Sequence, residues 1–295
     1  MTRTDLTTAP WLDWPGTRAV MAALEVARPG GARFVGGCVR NELRGVPVDD
    51  IDIATQLKPE ETLAALEAAG IRAIPTGLEH GTITAIYDGR PYEITSLRRD
   101  VETDGRRATI AFSEEWRDDA ARRDFTINAL YAHPETLAID DYFGGLDDLS
   151  AHRVRFIGDA ATRIREDHLR ILRYFRFATR FGDDWDAQAS RACSELAPTL
   201  KGLSRERVGW ELQNLLALPD PAATVDRMHE LGVLQEVLPE SGRREVAQLA
   251  RLVDAERSAA IAPAAMRRMA ALLPAIVPVA ETVAARLRLS RSQRA

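Results

Sequence analysis

The stretch FVGGCVRNELRGVPVDDIDIA, residues 34–54, joins two apolar runs through a glycine pair, a short helical pattern and a cluster of aspartates. The second run carries Asp50 and Asp52, and Asp49 directly precedes them. Burying a carboxylate is costly unless something positive pairs with it, so this cluster requires a salt bridge, a turn or a metal ion. The choice among these three decides what the first part of the chain can do.

Composition indicates a globular chain of 295 residues, 45% hydrophobic and 28% charged, which is long enough for two or more domains. Its net charge of −5 gives no overall basic signature for nucleic acid. The two cysteines, Cys38 and Cys193, form neither a disulfide framework nor a zinc cluster, which is typical of a reducing compartment and predicts a cytoplasmic protein. The longest apolar stretch, 269–280, is shorter than the roughly 20 residues that a transmembrane helix needs, so no membrane association is expected.

Strand and helix patterns alternate in the first part of the chain, and strand patterns fade after it. The pair Asp88-Gly89 between two strand patterns predicts a hairpin. We therefore predict an α+β head, a mixed sheet with helices, at residues 1–145. An all-α remainder is expected to follow, with a helical neck at 146–215 and a helical body at 216–295.

The carboxylates of the opening stretch are predicted to share one face. Alternation along a strand points Asp50 and Asp52 to the same side and Asp49 to the other. Two adjacent carboxylates repel each other unless a cation lies between them, and oxygen ligands favour Mg²⁺. A solvated strand end or a turn remains the alternative, because an isolated pair of this kind is a weak signal.

The glycine pair supplies the second part of the predicted site. Gly36 and Gly37 end a strand and open a helix, where bare backbone N–H groups can approach phosphate oxygens. Arg40, one helical turn further on, can add a charge-assisted hydrogen bond. A third carboxylate is expected for metal-assisted phosphoryl transfer, and Glu93 in the strand pattern YEITSL is the candidate. Its alternative role is that of a surface cross-strand partner.

The motif GGCVRNELRG…DDIDIAT resembles the signature of class II tRNA nucleotidyltransferases and bacterial poly(A) polymerases, within the DNA polymerase β-like superfamily. Further segments resemble family motifs in the family order, over about residues 10–239: TGLEHGTITAIYDGRPYEITSLRRD, ARRDFTINALY, DYFGGLDDL, REDHLRILRYFRFATRFG and LSRERVGWEL. The resemblance implies template-independent addition of C, C and A to the 3′ end of tRNA from CTP and ATP, with release of pyrophosphate. It also implies two Mg²⁺ ions, held by the catalytic residues Asp50, Asp52 and Glu93.

The resemblance further assigns binding roles. Asp167 and Arg170, three residues apart in the pattern of one helix, would share a face and pair with the amine and ring nitrogen common to cytosine and adenine. Separately from the resemblance, arginines with few acids opposite them could form a basic surface for the RNA backbone: Arg163, Arg173, Arg176, Arg180, Arg205 and Arg207. The remaining expected residues are Gly36, Gly37, Arg40, Arg123, Asp124 and Asn128 for the triphosphate and ribose, Arg173 for the nucleobase, and Arg98, Arg99 and Asp100 in a flexible loop at 97–108.

Several alternatives stay open at this point. A relative that adds CC only, A only or poly(A) has the same motifs, and a non-catalytic RNA-binding protein could share the fold. A nucleotidyltransferase for small molecules is disfavoured by the long helical half. Asn41 departs from the family's usual Asp, and the family's tail domain is expected to be absent and the body incomplete. The sequence predicts no oligomeric state.

Overall fold

The computed structural model describes residues 6–104 and 107–294, and the chain divides into two compact units, Met1–Ala151 and His152–Ala295. The first unit contains the sheet and the second is helical, which confirms the predicted order of an α+β head followed by an all-α remainder. The division lies near the predicted boundary at residue 145. The finer division of the helical half into a neck at 146–215 and a body at 216–295 stays a prediction.

The first unit is built on a mixed seven-stranded sheet with strand order β3-β4-β5-β2-β1-β8-β9. Only β2 and β5 run parallel among its neighbouring pairs, and β6 and β7 form a separate two-stranded ribbon. The strands are β1 (Ala32–Val35), β2 (Ile51–Thr55), β3 (Arg72–Gly77), β4 (Thr82–Tyr87), β5 (Arg90–Ser96), β6 (Arg98–Asp104), β7 (Arg107–Phe112), β8 (Leu130–Ala132) and β9 (Ile139–Asp141).

Short helices surround this sheet, and their ends follow from local sequence. The third begins at Pro59, whose fixed φ suits a first helical position, and Glu61 accepts a hydrogen bond from the Lys58 backbone N–H at 2.8 Å. The edge of Trp11 packs on Phe34 with ring centroids 4.8 Å apart, which anchors the start of the chain on β1. These helices are α1 (Pro15–Ala27), α2 (Gly37–Leu43), α3 (Pro59–Ala68), α4 (Trp116–Ala121) and α5 (Gly145–Ser150).

The predicted hairpin is confirmed between β4 and β5. Asp88 and Gly89 have φ angles of 47° and 76°, which are left-handed values that suit an Asp-Gly turn. The turn fixes the register of β5, since Tyr87 lies opposite Arg90 in the antiparallel pair. Glu93 therefore has a defined place along the sheet.

The predicted flexible loop at 97–108 is wrong as a description of secondary structure. Arg98 and Arg99 begin β6, which pairs antiparallel with β7, and Asp100 lies opposite Ile110. The segment contains the β-branched residues Val101, Thr103 and Thr109, and residues of this kind favour an extended backbone. The side chain of Asp100 lies outside the described residues, and the role proposed for these three residues stays a prediction.

The second unit is helical throughout its described length. Its core includes an aromatic cluster in which Tyr174 stacks on Phe156 at 5.7 Å and packs edge-on against Phe175. No helix among the described residues is long and apolar enough to cross a membrane. The helices are α6 (Ala160–Glu166), α7 (Arg170–Phe181), α8 (Ala187–Leu196), α9 (Arg205–Leu216), α10 (Ala222–Glu230), α11 (Val233–Val237), α12 (Arg243–Ser258), α13 (Ala265–Ala271), α14 (Val277–Arg286) and α15 (Arg291–Arg294).

The single helix predicted to contain Asp167 and Arg170 is in fact two helices, α6 and α7. Asp167 ends α6 in an extended conformation, with φ −149° and ψ 106°. Its carboxylate then accepts a hydrogen bond from the Leu169 backbone N–H at 3.1 Å, which stabilises the turn between α6 and α7. An aspartate that accepts a hydrogen bond from a nearby backbone N–H competes with the helix, and Asp167 here interrupts a pattern of helical period.

Candidate active site

The parallel pairing of β2 and β5 brings two of the predicted carboxylates together. Asp52 and Glu93 are direct partners in the register, so they point to the same face of the sheet from strands about 4.8 Å apart. Asp52 is half-buried and Glu93 is exposed. Strand β2 begins at Ile51, so Asp50 lies one residue before the strand that was predicted to contain it, and its place beside Asp52 stays a prediction.

The electrostatics of Asp52 reflect these neighbours. Burial raises the pKa of its carboxyl, and the charges of Glu93 and Asp50 raise it further, while Arg123 and Arg40 act in the opposite sense. The net effect is a pKa of about 6, above the usual value of 3.8. Among the described residues, none forms an ion pair with Asp50, Asp52 or Glu93. Within the described part of the chain, Arg123 and Arg40 therefore offset the negative charge at Asp52 only in part.

The glycine pair lies directly against this carboxylate. Gly36 has φ +67°, a left-handed value, and a Cβ there would lie 3.3 Å from Arg123 Nη1. A Cβ on Gly37 would lie 3.4 Å from Asp52 Oδ2. The missing side chains therefore allow the backbone between β1 and α2 to approach an arginine and an aspartate closely.

A buried polar chain connects three of the residues predicted to bind the triphosphate and ribose. Arg40 donates to Asn128 Oδ1, and Asn128 Nδ2 donates to Asp124 Oδ1 at 2.9 Å. All three residues are buried, so each hydrogen bond also satisfies a group withdrawn from water. Arg40 donates in addition to Asn41 Oδ1 at 2.8 Å, so the amide that replaces the family's usual carboxylate still orients this arginine.

Arg123 is held by a residue that the sequence did not single out. Asp119 on α4 accepts from Arg123 Nη2 at 3.2 Å and from the hydroxyl of Tyr131 at 2.6 Å. Burial alone would raise the pKa of Asp119, but Arg123, Arg122 and the Tyr131 hydroxyl outweigh burial and lower it to about 2. The available signal was its spacing, three and four residues before the adjacent arginines Arg122 and Arg123.

Asp52 and Glu93 are suitable ligands for a divalent cation, although the described side chains do not form a complete metal-binding cluster. Within residues 6–104 and 107–294, no three acidic, histidine or cysteine side chains converge closely enough to hold a metal ion. Asp52 and Glu93 nevertheless supply oxygen donors side by side, with mutual repulsion that a divalent cation would relieve. Their pairing meets the chemical requirement for a magnesium site, with Asp50 as the predicted third ligand.

The residues predicted to bind the nucleobase do not share a helix face. Asp167 ends α6 and pairs with Arg207 at 2.6 Å, whereas Arg170 opens α7 and pairs with Glu166 at 2.5 Å. Arg173 lies 3.7 Å from Glu211. The argument from helical spacing was therefore wrong for Asp167 and Arg170, because the capping turn separates them. Their role in base recognition remains a prediction from the resemblance.

The predicted basic surface is also largely neutralised. Glu166 pairs with Arg163 at 3.0 Å, and Glu211 pairs with Arg176 at 2.6 Å. Glu211 is buried, with only 1% of its side chain exposed. The expectation of few acids near these arginines was wrong, because the acids come from other turns and from α9, which local spacing does not reveal.

Comparison with known proteins places these features in a family. A family model described as "Poly A polymerase head domain" matches residues 32–155, and one described as "Probable RNA and SrmB- binding site of polymerase A" matches residues 186–242. The first match spans β1 to the residues after α5 and contains every carboxylate of the candidate site. The second spans α8 to the residues after α11.

Similar proteins carry related names. The mitochondrial CCA tRNA nucleotidyltransferase 1 of Danio rerio is 38% identical over 271 residues, or 89% of this chain and 61% of that protein. The CCA-adding enzyme of Streptococcus sanguinis (strain SK36) is 40% identical over 226 residues, or 76% of this chain and 55% of that protein. The chain spans less than two thirds of the length of each.

A solved structure agrees with the fold. The Bacillus stearothermophilus CCA-adding enzyme in complex with CTP superimposes with a TM-score of 0.70 and 29% sequence identity, covering 95% of this chain and 64% of that chain. Together with the two family models and the sequence relatives, it shows that the chain belongs to the family of class II tRNA nucleotidyltransferases and bacterial poly(A) polymerases.

Proposed function

We propose that this protein adds C, C and A to the 3′ end of tRNA from CTP and ATP without a nucleic-acid template. The observation that carries the proposal is the alignment of Asp52 with Glu93 beside the Gly36-Gly37 turn. Carboxylates next to a bare backbone turn suit a nucleoside triphosphate, since they can hold cations while the turn admits phosphate oxygens. The relatives named CCA-adding enzymes support the choice of tRNA, CTP and ATP.

The reaction is a nucleotidyl transfer. The 3′-hydroxyl of the RNA attacks the α-phosphate, a new P–O bond forms, and the bond to the leaving pyrophosphate breaks. Arg40 and Arg123 lie around the glycine turn, where they would orient the triphosphate and offset its charge. Asp124 and Asn128 hold Arg40 in place through their hydrogen-bonded chain, and the same pair is assigned to the ribose.

Nucleotidyltransferases of this family are generally metal-dependent. We propose that Asp50, Asp52 and Glu93 hold two Mg²⁺ ions, which would lower the pKa of the attacking hydroxyl and stabilise the leaving group's charge. The raised pKa of Asp52 supports this assignment, because a carboxylate surrounded by like charge gains most from a cation. The cytoplasmic location stays a prediction, since the Danio rerio relative is named mitochondrial.

Extension of defined transcripts tests the function. Labelled tRNA transcripts that end before CCA, after C, after CC and after CCA would each be offered one nucleoside triphosphate alone, and then CTP with ATP. Ordered addition that stops at CCA is the expected result, with the complete transcript left unextended.

Other products would identify a different member of the family. Long A tails on any transcript would indicate a poly(A) polymerase, and addition that stops at CC, or adds A only after CC, would indicate a partial enzyme. No incorporation with Mg²⁺ or Mn²⁺ would leave an RNA-binding protein on the same fold.

A further inference from the structure

A buried ionic cluster lies behind Arg123, on the side away from the glycine turn. Its centre is Asp119, with 1% of its side chain exposed. One carboxylate oxygen, Oδ1, accepts from Arg122 Nε at 2.8 Å. The other, Oδ2, accepts from Arg123 at 3.2–3.3 Å and from the Tyr131 hydroxyl at 2.6 Å. Each oxygen thus serves a different arginine.

The nitrogens of the Arg123 guanidinium face two different sets of neighbours. Its Nε donates to the Tyr131 hydroxyl at 3.0 Å and lies 3.3 Å from Asp119 Oδ2, and its Nη2 donates to the same oxygen. Its Nη1 instead donates to the Asn128 backbone carbonyl at 3.5 Å and lies beside Gly36, 3.3 Å from the position that a Cβ would take there. Because the guanidinium is planar, fixing Nε and Nη2 also fixes the direction of the Nη1 donors.

Aromatic packing restrains the same cluster. Tyr131 lies edge-on to Trp116 at 5.8 Å and to Tyr142 at 6.1 Å, and Arg33 covers the Trp116 ring at 3.9 Å. The Tyr131 hydroxyl therefore has little freedom to leave Asp119. A side chain held by packing and hydrogen bonds in this way can orient a binding group accurately.

We propose that Asp119 is a positioning residue for nucleotide binding, which holds Arg123 so that Nη1 faces the phosphates of the incoming nucleoside triphosphate at the glycine turn. The inference rests on the proposed function, because that function puts the triphosphate beside Gly36. Asp119 itself would not touch the nucleotide, since it is buried and both its oxygens are engaged by the cluster.

Substitution of Asp119 by asparagine tests the proposal. Asp119→Asn keeps the shape but removes the charge that holds Arg123, so CTP binding should weaken about 10-fold to 100-fold, the range seen for residues that orient a binding group. The matched control is Asp118→Asn, the neighbour on α4, which accepts from Ser113 at 2.8 Å and makes no contact with Arg123. CTP affinity would be measured directly, and the KM for CTP should rise far more than kcat falls.

Two milder variants keep the test informative if Asp119→Asn fails to fold. Tyr131→Phe removes one hydroxyl and both of its hydrogen bonds but leaves the ion pairs, so it should weaken CTP binding by about 5-fold. Asp119→Glu, which retains the charge, should recover part of the affinity that Asp119→Asn loses. Thermal unfolding of each variant would establish that the folded protein is being compared.

A double-mutant cycle separates positioning from a general structural role. If Asp119 acts through Arg123, then Asp119→Asn should have little further effect on CTP affinity once Arg123→Ala is present. An equal loss in both backgrounds would overturn the proposal, as would Asp119→Asn binding CTP like Asp118→Asn. A wild-type protein that binds CTP through this pair but extends no RNA would refute the proposed function alone and leave the positioning role standing.

Discussion

Asp52 in the first unit and Glu211 in the second are both carboxylates withdrawn from solvent, yet their neighbours carry opposite charges. Asp52 faces Glu93 and Asp50, and its pKa is raised to about 6. Glu211 faces Arg176 at 2.6 Å and Arg173 at 3.7 Å. The carboxylates around Asp52 repel one another, whereas the charge of Glu211 is neutralised by arginines.

The difference separates a site built for a ligand from a site built for packing. Repulsion between fixed carboxylates lowers the free energy of unfolding, and other interactions in the fold must offset that loss. A bound cation would remove the repulsion and so stabilise the folded protein. A buried ion pair with several hydrogen bonds instead depends on both partners being present. Removing one carboxylate should therefore change the free energy of unfolding in opposite directions in the two units.

The largest effect on stability is expected at Glu211. Glu211→Gln leaves Arg176 without its buried counter-charge, and the free energy of unfolding should fall by about 3 kcal/mol. Denaturant unfolding would measure it. Glu206→Gln is the control on the same helix, since Glu206 is exposed and 3.9 Å from Arg288, and it should change stability by less than about 0.5 kcal/mol. If Glu211→Gln and Glu206→Gln lowered the free energy of unfolding equally, the buried ion pair of Glu211 would contribute no more than an exposed one.

Removing the charge of Asp52 is expected to raise the free energy of unfolding rather than lower it. Its pKa in the folded protein lies above the usual value of 3.8, so folding favours the protonated carboxyl. That contribution to stability is present below pH 4 and is lost as the pH rises through about 6. In the presence of a chelator, Asp52→Asn should therefore be more stable than wild type at pH 8, by up to about 3 kcal/mol.

The pH profile of unfolding would check this prediction. The gain of Asp52→Asn should vanish below pH 4, where both proteins are uncharged at this position. Asp49→Asn is the matched control, because Asp49 is exposed and is not among the charges that shift Asp52. A variant less stable than wild type at pH 8 would show that Asp52 is paired rather than repelled.

The smallest effect is expected at Asp167. Its ion pair with Arg207 is about one third exposed on both sides, and exposed pairs contribute little. Asp167→Asn, which keeps an acceptor for the Leu169 N–H, should lower the free energy of unfolding by no more than about 1 kcal/mol. Asp167→Ala should cost about 1 kcal/mol more, because the Leu169 N–H loses its acceptor. If Asp167→Asn lowered the free energy of unfolding as much as Glu211→Gln does, Asp167 would be a stabilising ion-pair residue like Glu211.

The sequence predicted the sheet-based part of the molecule well because its signals are local. The Asp88-Gly89 turn, the helix opening at the glycine pair and the alternation of β2 all depend on neighbours in the chain. Residues far apart in sequence, Asp52 and Glu93, met as expected because β2 and β5 pair in parallel. The strand pattern YEITSL had indicated Glu93 as the third carboxylate, with a surface cross-strand partner as the alternative, but it did not predict that β5 pairs with β2.

The predictions that were wrong involve side-chain competition. Helical periodicity continues through Asp167 in the sequence, but in the structure its backbone is extended and its carboxylate accepts from the Leu169 N–H, so one helix ends there before the next begins. The pairing of Arg176 with Glu211 joins α7 to α9, and the sequence gives no register between them. Asp119 was missed for a similar reason, since its partner Tyr131 is on a strand beyond its own helix.

Nucleotide addition by three alanine variants tests the central claim most directly. Asp52→Ala and Asp50→Ala should each lower the rate of C addition to a tRNA transcript at least about 100-fold, as other charge-stabilising groups do when removed. Asp49→Ala, in the adjacent exposed position, should stay within about threefold of wild type. Equal losses for all three variants, or normal addition by Asp52→Ala, would contradict the assignment of the paired carboxylates to the reaction.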